Sequence, residues 1–234
     1  MIRSFLLFLL LGSSCISSKA QLGSYSFNSN VLYNDGYGIP WTYDYPFFMD
    51  GSPFFDTSNC TGSVQLLNGK TYRGLQLKLN LEQQKIIFTT GDGKAFALSQ
   101  PVARLELGCN DPAKSVVFRS GFGVIDKQNE RSLYQVLDSG KVLLLKFVEI
   151  RYKDSKAYNS NDMTRVYRQL PSYYLWIPGK DMVKVPGDEN DLLGLLQDKR
   201  RELADTIGKE KLKLKKEADL IKIINSYNRL LQPS

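Results

Sequence analysis

The strongest constraint on the fold of this chain is a run of leucines at every second position. Leu75, Leu77, Leu79 and Leu81 alternate with Gln76, Lys78 and Asn80. A strand turns successive side chains to opposite faces, so this spacing predicts a strand with one face in a core and the other in water. Just upstream, Val64-Gln65-Leu66-Leu67 runs into Asn68-Gly69 and then Thr71-Tyr72. Asn-Gly between apolar runs is a strong short hairpin signal, because both residues tolerate the left-handed backbone of a tight turn.

The same grammar continues. Ile86-Ile87-Phe88, a Gly91-Asp92-Gly93 turn, Ala95 to Leu98, Val102 to Leu107 and Val116 to Arg119 read as short strands. Leu133 to Leu137, an Asp138-Ser139-Gly140 turn and Val142 to Ile150 form a second hairpin, followed by strands at Arg165 to Leu170, Tyr173 to Ile177 and Met182 to Val185. No helical crossover separates them, so an antiparallel meander is expected, shaped as a curved sheet or a partly closed barrel.

At Pro186 the period changes. Leu192, Leu193, Leu195 and Leu196 mark a short helix, with Asp188 to Asp191 at its amino-terminal cap. Asp198 to Ile207 continues as a second helical piece ending near Gly208. Leu220, Ile223, Ile224, Tyr227, Leu230 and Leu231 then form an amphipathic stripe. The fold class read from these patterns is α+β. It divides as a leader over 1–20, an aromatic-rich extended segment over 21–58, an antiparallel β domain over 59–186 and a helical cluster over 187–234 that packs on the sheet or faces a partner.

The leader assignment rests on Met-Ile-Arg, an apolar run from Phe5 to Leu11 and the small residues Gly12-Ser13-Ser14, with Ser18 and Ala20 at the −3 and −1 positions of a cleavage site before Gln21. The apolar run is shorter than the roughly 20 residues a membrane-spanning helix needs. A periplasmic or extracellular location follows. Cys15 raises the rival of a lipid anchor, disfavoured because Leu11 stands one position too early before it. No transmembrane segment is expected in the mature chain. The formal charge of +7 falls to +5 when Arg3 and Lys19 leave with the leader. That modest excess identifies no partner by itself; for an exported chain an envelope glycan or anionic glycolipid is a more plausible electrostatic partner than nucleic acid.

The chain contains no histidine. That removes Ser-His and Cys-His nucleophile pairs, imidazole metal sites and the usual proton carrier near neutral pH. Gly69-Lys70-Thr71 resembles the end of a phosphate-binding loop, but Val64 occupies the place of its leading glycine. Gly121-Phe122-Gly123 lacks the third glycine of a dinucleotide fingerprint. No catalytic residue, metal ligand or cofactor is assigned, and a non-enzymatic binding or envelope-structural role is expected. Cys60 and Cys109 remain after the leader, either as a disulfide or as two buried free thiols.

Residues 21–58 hold the densest chemistry, with Trp41, Tyr43 and Tyr45 among Asp35, Asp44, Asp50 and Asp56. Rings stack on sugars and carboxylates accept sugar hydroxyls, so Trp41, Tyr43, Tyr45, Asp44 and Asp50 are candidate glycan-binding residues. The bland alternative buries the rings and leaves the aspartates in turns. A carboxylate-dependent hydrolase is a further alternative, requiring an Asp/Glu pair about 5–9.5 Å apart across a cleft. The lysines Lys209, Lys211, Lys213, Lys215 and Lys216 flank Leu212 and Leu214, and read either as a solvated face or as a contact for anionic glycolipid.

Asp50-Gly51-Ser52-Pro53-Phe54-Phe55, Gly62-Ser63-Val64, Asn68-Gly69-Lys70-Thr71-Tyr72 and Leu212-Lys213-Leu214-Lys215-Lys216-Glu217, with the helix from Leu220 to Tyr227-Asn228, resemble a family of uncharacterised exported bacterial proteins. The resemblance spans roughly Asp50 to Leu230. It implies a β-rich domain with C-terminal helices and carries no activity or catalytic residue to any position here.

Overall fold

The computed structural model of the protein describes residues 25–42, 45–111, 114–156 and 162–232. The expected leader, with its expected cleavage site after Ala20, and Cys15 lie outside these residues. Twelve strands form one mostly antiparallel sheet, followed by helices at the C-terminal end, an α+β arrangement.

β1 (Gly38–Pro40), β2 (Phe48–Asp50), β3 (Cys60–Leu66), β4 (Thr71–Asn80), β5 (Lys85–Thr89), β6 (Ala95–Leu98) and β7 (Val102–Gly108) build the first part of the sheet. β8 (Val116–Arg119), β9 (Tyr134–Asp138), β10 (Leu143–Lys156), β11 (Met163–Trp176) and β12 (Val183–Lys184) complete it. The β3–β4 turn forms at Asn68-Gly69: Gly69 has φ 87°, and the Lys70 N–H donates to the Asn68 side chain at 3.0 Å. Leu75, Leu77 and Leu79 of β4 are buried in one core with Val64, Leu66, Phe88, Leu105 and Leu107.

The strand order is β1-β6-β5-β4-β3-β7-β8-β9-β10-β11-β12, with β2 parallel to β11. This departs from a simple meander. β7 leaves β6 through three residues and pairs with β3 instead. Gly62 permits that pairing, since a Cβ there would stand 2.1 Å from the Glu106 carbonyl oxygen.

Two further expectations are corrected. The extended reading of 21–58 fails at its start, where α1 (Tyr25–Asn34) is helical. Its sequence has no apolar stripe; Leu32 and Ser29 are instead buried where the helix meets β4, and such docking outweighs weak propensity. Gly36, at φ 78°, ends the turn after the helix. The two strands expected on either side of Pro171 are one strand, β11, paired with β10 without interruption. Between the stretches covered by β2 and β12, β11 is an edge, the place where a proline's missing N–H is tolerated.

The base of the β10–β11 hairpin is buried on both faces. Val142, Leu144 and Leu175 join a core with α2 (Glu189–Leu195), α3 (Arg200–Glu210) and α4 (Glu217–Leu230). Leu143, Leu145, Phe147 and Tyr174 lie on the opposite face with Phe122 and Met182. The unbroken run Val142-Leu143-Leu144-Leu145 has this cause, since two-sided burial leaves no polar position to alternate. The helices thus pack on the sheet. Leu212 and Leu214 of the lysine run pack into the helical core while the lysines around them are exposed.

Candidate functional site

The face of the β10–β11 hairpin turned away from the helices carries an open groove of about 680 Å³, within the usual range of ligand sites. Alternation along β10 places Phe147, Glu149 and Arg151 on its floor, and the paired strand β11 adds Ser172 and Tyr174. Lys184 of β12 stands on one side and the segment Asp126–Ser132 on the other.

Local hydrogen bonds hold that segment. Ile125 and Gln128 bridge across a tight turn, the Gln128 N–H donating to the Ile125 carbonyl at 2.9 Å. Asp126 occupies the left-handed region at φ 50°, which Asp tolerates better than most residues. Ser132 Oγ accepts from the Asn129 N–H, and Gln84 ties the whole segment to the β4–β5 turn by accepting from the Leu133 N–H at 3.0 Å.

The turn aims the Asp126 carboxylate across the groove, where Tyr174 Oη donates to it at 2.8 Å and Lys184 Nζ lies at 3.0 Å. Those two donors, the tyrosine foremost, hold Asp126 below the ordinary carboxylate range, and burial together with Asp126 pushes the Tyr174 phenol up. Arg151 donates twice to Glu149, both at 3.1 Å, and keeps that carboxyl low as well. The groove lining has four cations, Lys127, Arg131, Arg151 and Lys184, against these two carboxylates. Its excess is positive.

Beneath the floor, Tyr134 is fully buried against Phe147 and Tyr174, at ring separations of 5.5 and 5.6 Å. Burial pushes its phenol up to about 12. The Tyr134 hydroxyl and, in the groove wall, Gln128 Oε1 are buried oxygens with no hydrogen-bond partner among the described residues. Such atoms are few in native folds; Asn80 Nδ2 and Tyr167 Oη, away from the groove, are two more.

Of the residues singled out from sequence, the three that are described, Trp41, Tyr45 and Asp50, do not line the groove. Trp41 is half-buried, edge-on to Phe54 at 6.2 Å, and Tyr45 is half-buried beside Phe47 at 5.1 Å. Asp50 is exposed at the end of β2, opposite Val166. Tyr43 and Asp44 lie outside the described residues. Nearby, the Arg165 guanidinium sits over Phe47 at 4.2 Å and over Tyr152 at 3.8 Å while pairing doubly with Asp154 at 2.7 and 2.8 Å. Other rings of the segment are engaged too: Tyr33 contacts Phe96 at 4.6 Å, and Phe55 meets Phe118 at 5.1 Å. Cys60 and Cys109 are joined, with sulfurs 2.07 Å apart.

The groove residues escaped the sequence reading because they come from distant segments. One signal was available: Glu149, Arg151 and Lys153 stand at every second position of β10, on either side of Ile150, which places their charges on one face. No group of three or more His, Cys, Asp or Glu side chains suited to a metal ion occurs among the described residues. No helix among them is long and apolar enough to cross a membrane. Comparison of the chain with family models, curated proteins and solved structures finds no match.

Proposed function

We propose that this is an exported, non-enzymatic binding protein whose ligand sits in the groove between the Asp126–Ser132 segment and the β10–β11–β12 face. The observation that carries the reading is the groove itself, a recess with a surplus of cations on a doubly packed hairpin base. Rigid support beneath a polar recess is what a binding site needs to hold its geometry. Export is supported by the leader pattern and by the Cys60–Cys109 bond, since disulfides persist in oxidising compartments. Membership in the exported bacterial family that the sequence resembles belongs to the same reading.

The carboxylates favour binding over hydrolysis. A glycosidase needs one carboxyl kept protonated, whereas Asp126 and Glu149 are both held low by donors. The first half of the sheet is read as curled toward a partly closed barrel. Leu98 to Val102 spans four Cα steps, about 15 Å at most, while four strand spacings of a flat sheet between β6 and β7 amount to about 19 Å.

The test is a glycan array probed with the mature chain and with Ser172→Tyr, which fills the groove without altering charge. Binding is expected and should vanish in the variant. Binding to no glycan, or equal binding by both proteins, contradicts the reading.

A further inference from the structure

Beyond the groove, the same hairpin face continues as a row of cations. Pairing is uninterrupted along β10 and β11, so Arg151 lies directly opposite Arg168, with Lys153 the next residue on that face. Arg151, Lys153 and Arg168 are exposed. Glu149 engages Arg151 alone, and neither Lys153 nor Arg168 is within ion-pair distance of a carboxylate among the described residues. Like charges directly opposite on a sheet are unfavourable, with Cβ atoms about 5 Å apart. The arrangement is relieved if an anion bridges the two guanidinium groups, which accept carboxylates in forked pairs.

Resting on the groove as binding seat, we infer that the ligand is a linear acidic polysaccharide that lies in the groove and runs outward along the Arg151–Arg168 pair and Lys153. Successive same-face residues of a strand are about 7 Å apart, so the cations form a straight track suited to an extended chain with repeated carboxylates. The floor rings Phe147 and Tyr174 are only 9% and 1% exposed, which offers no open aromatic face for stacking bases, as single-stranded nucleic acid would use. A membrane plane would not reach a floor recessed between the Asp126–Ser132 segment and Lys184. Charge pairing then carries the recognition.

The experiment measures affinity for polygalacturonate, with dextran as a neutral control, by affinity electrophoresis of the mature chain. The paired variant Arg151→Gln/Arg168→Gln is compared with Lys209→Gln/Lys216→Gln, which removes the same charge from exposed sites in the helical region. Polygalacturonate should bind and dextran should not. The hairpin variant should lose at least tenfold in affinity while the helical variant keeps it, and salt should weaken the wild type by screening. Equal loss in both variants, or single-stranded DNA competing as well as polygalacturonate, overturns the inference. If polygalacturonate fails while another glycan binds and is blocked by Ser172→Tyr, this inference falls and the groove reading stands; if nothing binds, both fall.

Discussion

Asn228 satisfies both backbone groups of Val142 with one side chain: its Oδ1 accepts from the Val142 N–H at 2.9 Å and its Nδ2 donates to the Val142 carbonyl at 2.9 Å. The same Nδ2 donates to Asp138 at 2.7 Å, and Asn225 of the same helix donates to the other Asp138 oxygen at 2.9 Å. Helix α4 thereby clasps the β9–β10 turn, and the turn passes so close that a Cβ on Gly140 would stand 2.4 Å from Asn228 Cγ. The clasp fixes the base of the hairpin whose opposite face carries the groove.

Replacing this side chain leaves buried backbone groups unpaired. Asn228→Ala should destabilise the protein by about 2–3 kcal/mol, read as a lower urea midpoint with unchanged m-value. Faster amide exchange at Val142 should accompany it. Unchanged exchange there would show that the clasp contributes nothing.

A second tie between α4 and the sheet titrates. Burial pushes Glu217 up, but Lys146 at 2.7 Å and the Tyr173 hydroxyl at 2.9 Å outweigh it and hold the carboxyl below its ordinary value. A carboxyl lowered by folding contributes stability above its unfolded pKa, and that contribution is lost as pH falls through the folded value. Glu217→Gln should therefore be less stable than wild type at neutral pH, with the gap closing in acid below about pH 4. Urea unfolding across pH checks this; a gap that widens in acid contradicts it.

How much could be read beforehand varied with range. The Asn68-Gly69 hairpin and the leucines of β4 were legible because turn chemistry and face alternation are local. The stripe of α4 was legible for the same reason: Leu220, Ile223, Ile224 and Tyr227 are buried as their spacing implies. α1 was not, because docking on β4 stabilises it rather than any pattern of its own. The return of β7 to β3 was hidden as well, since it depends on close approach at Gly62 rather than on strand propensity. The candidate site was missed for a related reason. Asp126, Tyr174 and Lys184 meet across 58 residues of sequence, whereas Tyr33, Trp41, Tyr45 and Phe55 of the aromatic segment pack on neighbouring rings.

Gly62 itself offers a sharp test of the strand order. Gly62→Ala forces a methyl group against the Glu106 carbonyl and should cost about 3 kcal/mol through strain in the β3–β7 ladder. Thermal unfolding of the variant checks it. A variant as stable as wild type would mean that β3 and β7 do not approach so closely.

The Cys60–Cys109 bond closes a separation of 49 residues. Chain entropy puts its contribution at about 4 kcal/mol. Cys109→Ala, or reduction of the wild type, should lower stability toward that extent, measured by urea unfolding with and without reductant. Insensitivity of the wild type to reductant would contradict a bond between these residues.

The central claim is that ligand sits on the groove face of the β10–β11 hairpin. Its most direct measurement is amide chemical-shift mapping of the labelled protein titrated with galacturonate oligomers. Shifts centred on Gln128, Glu149, Arg151, Arg168, Ser172 and Lys184 are expected. Shifts centred instead on Trp41, Tyr45 and Asp50, or on the lysines from Lys209 to Lys216, would contradict it.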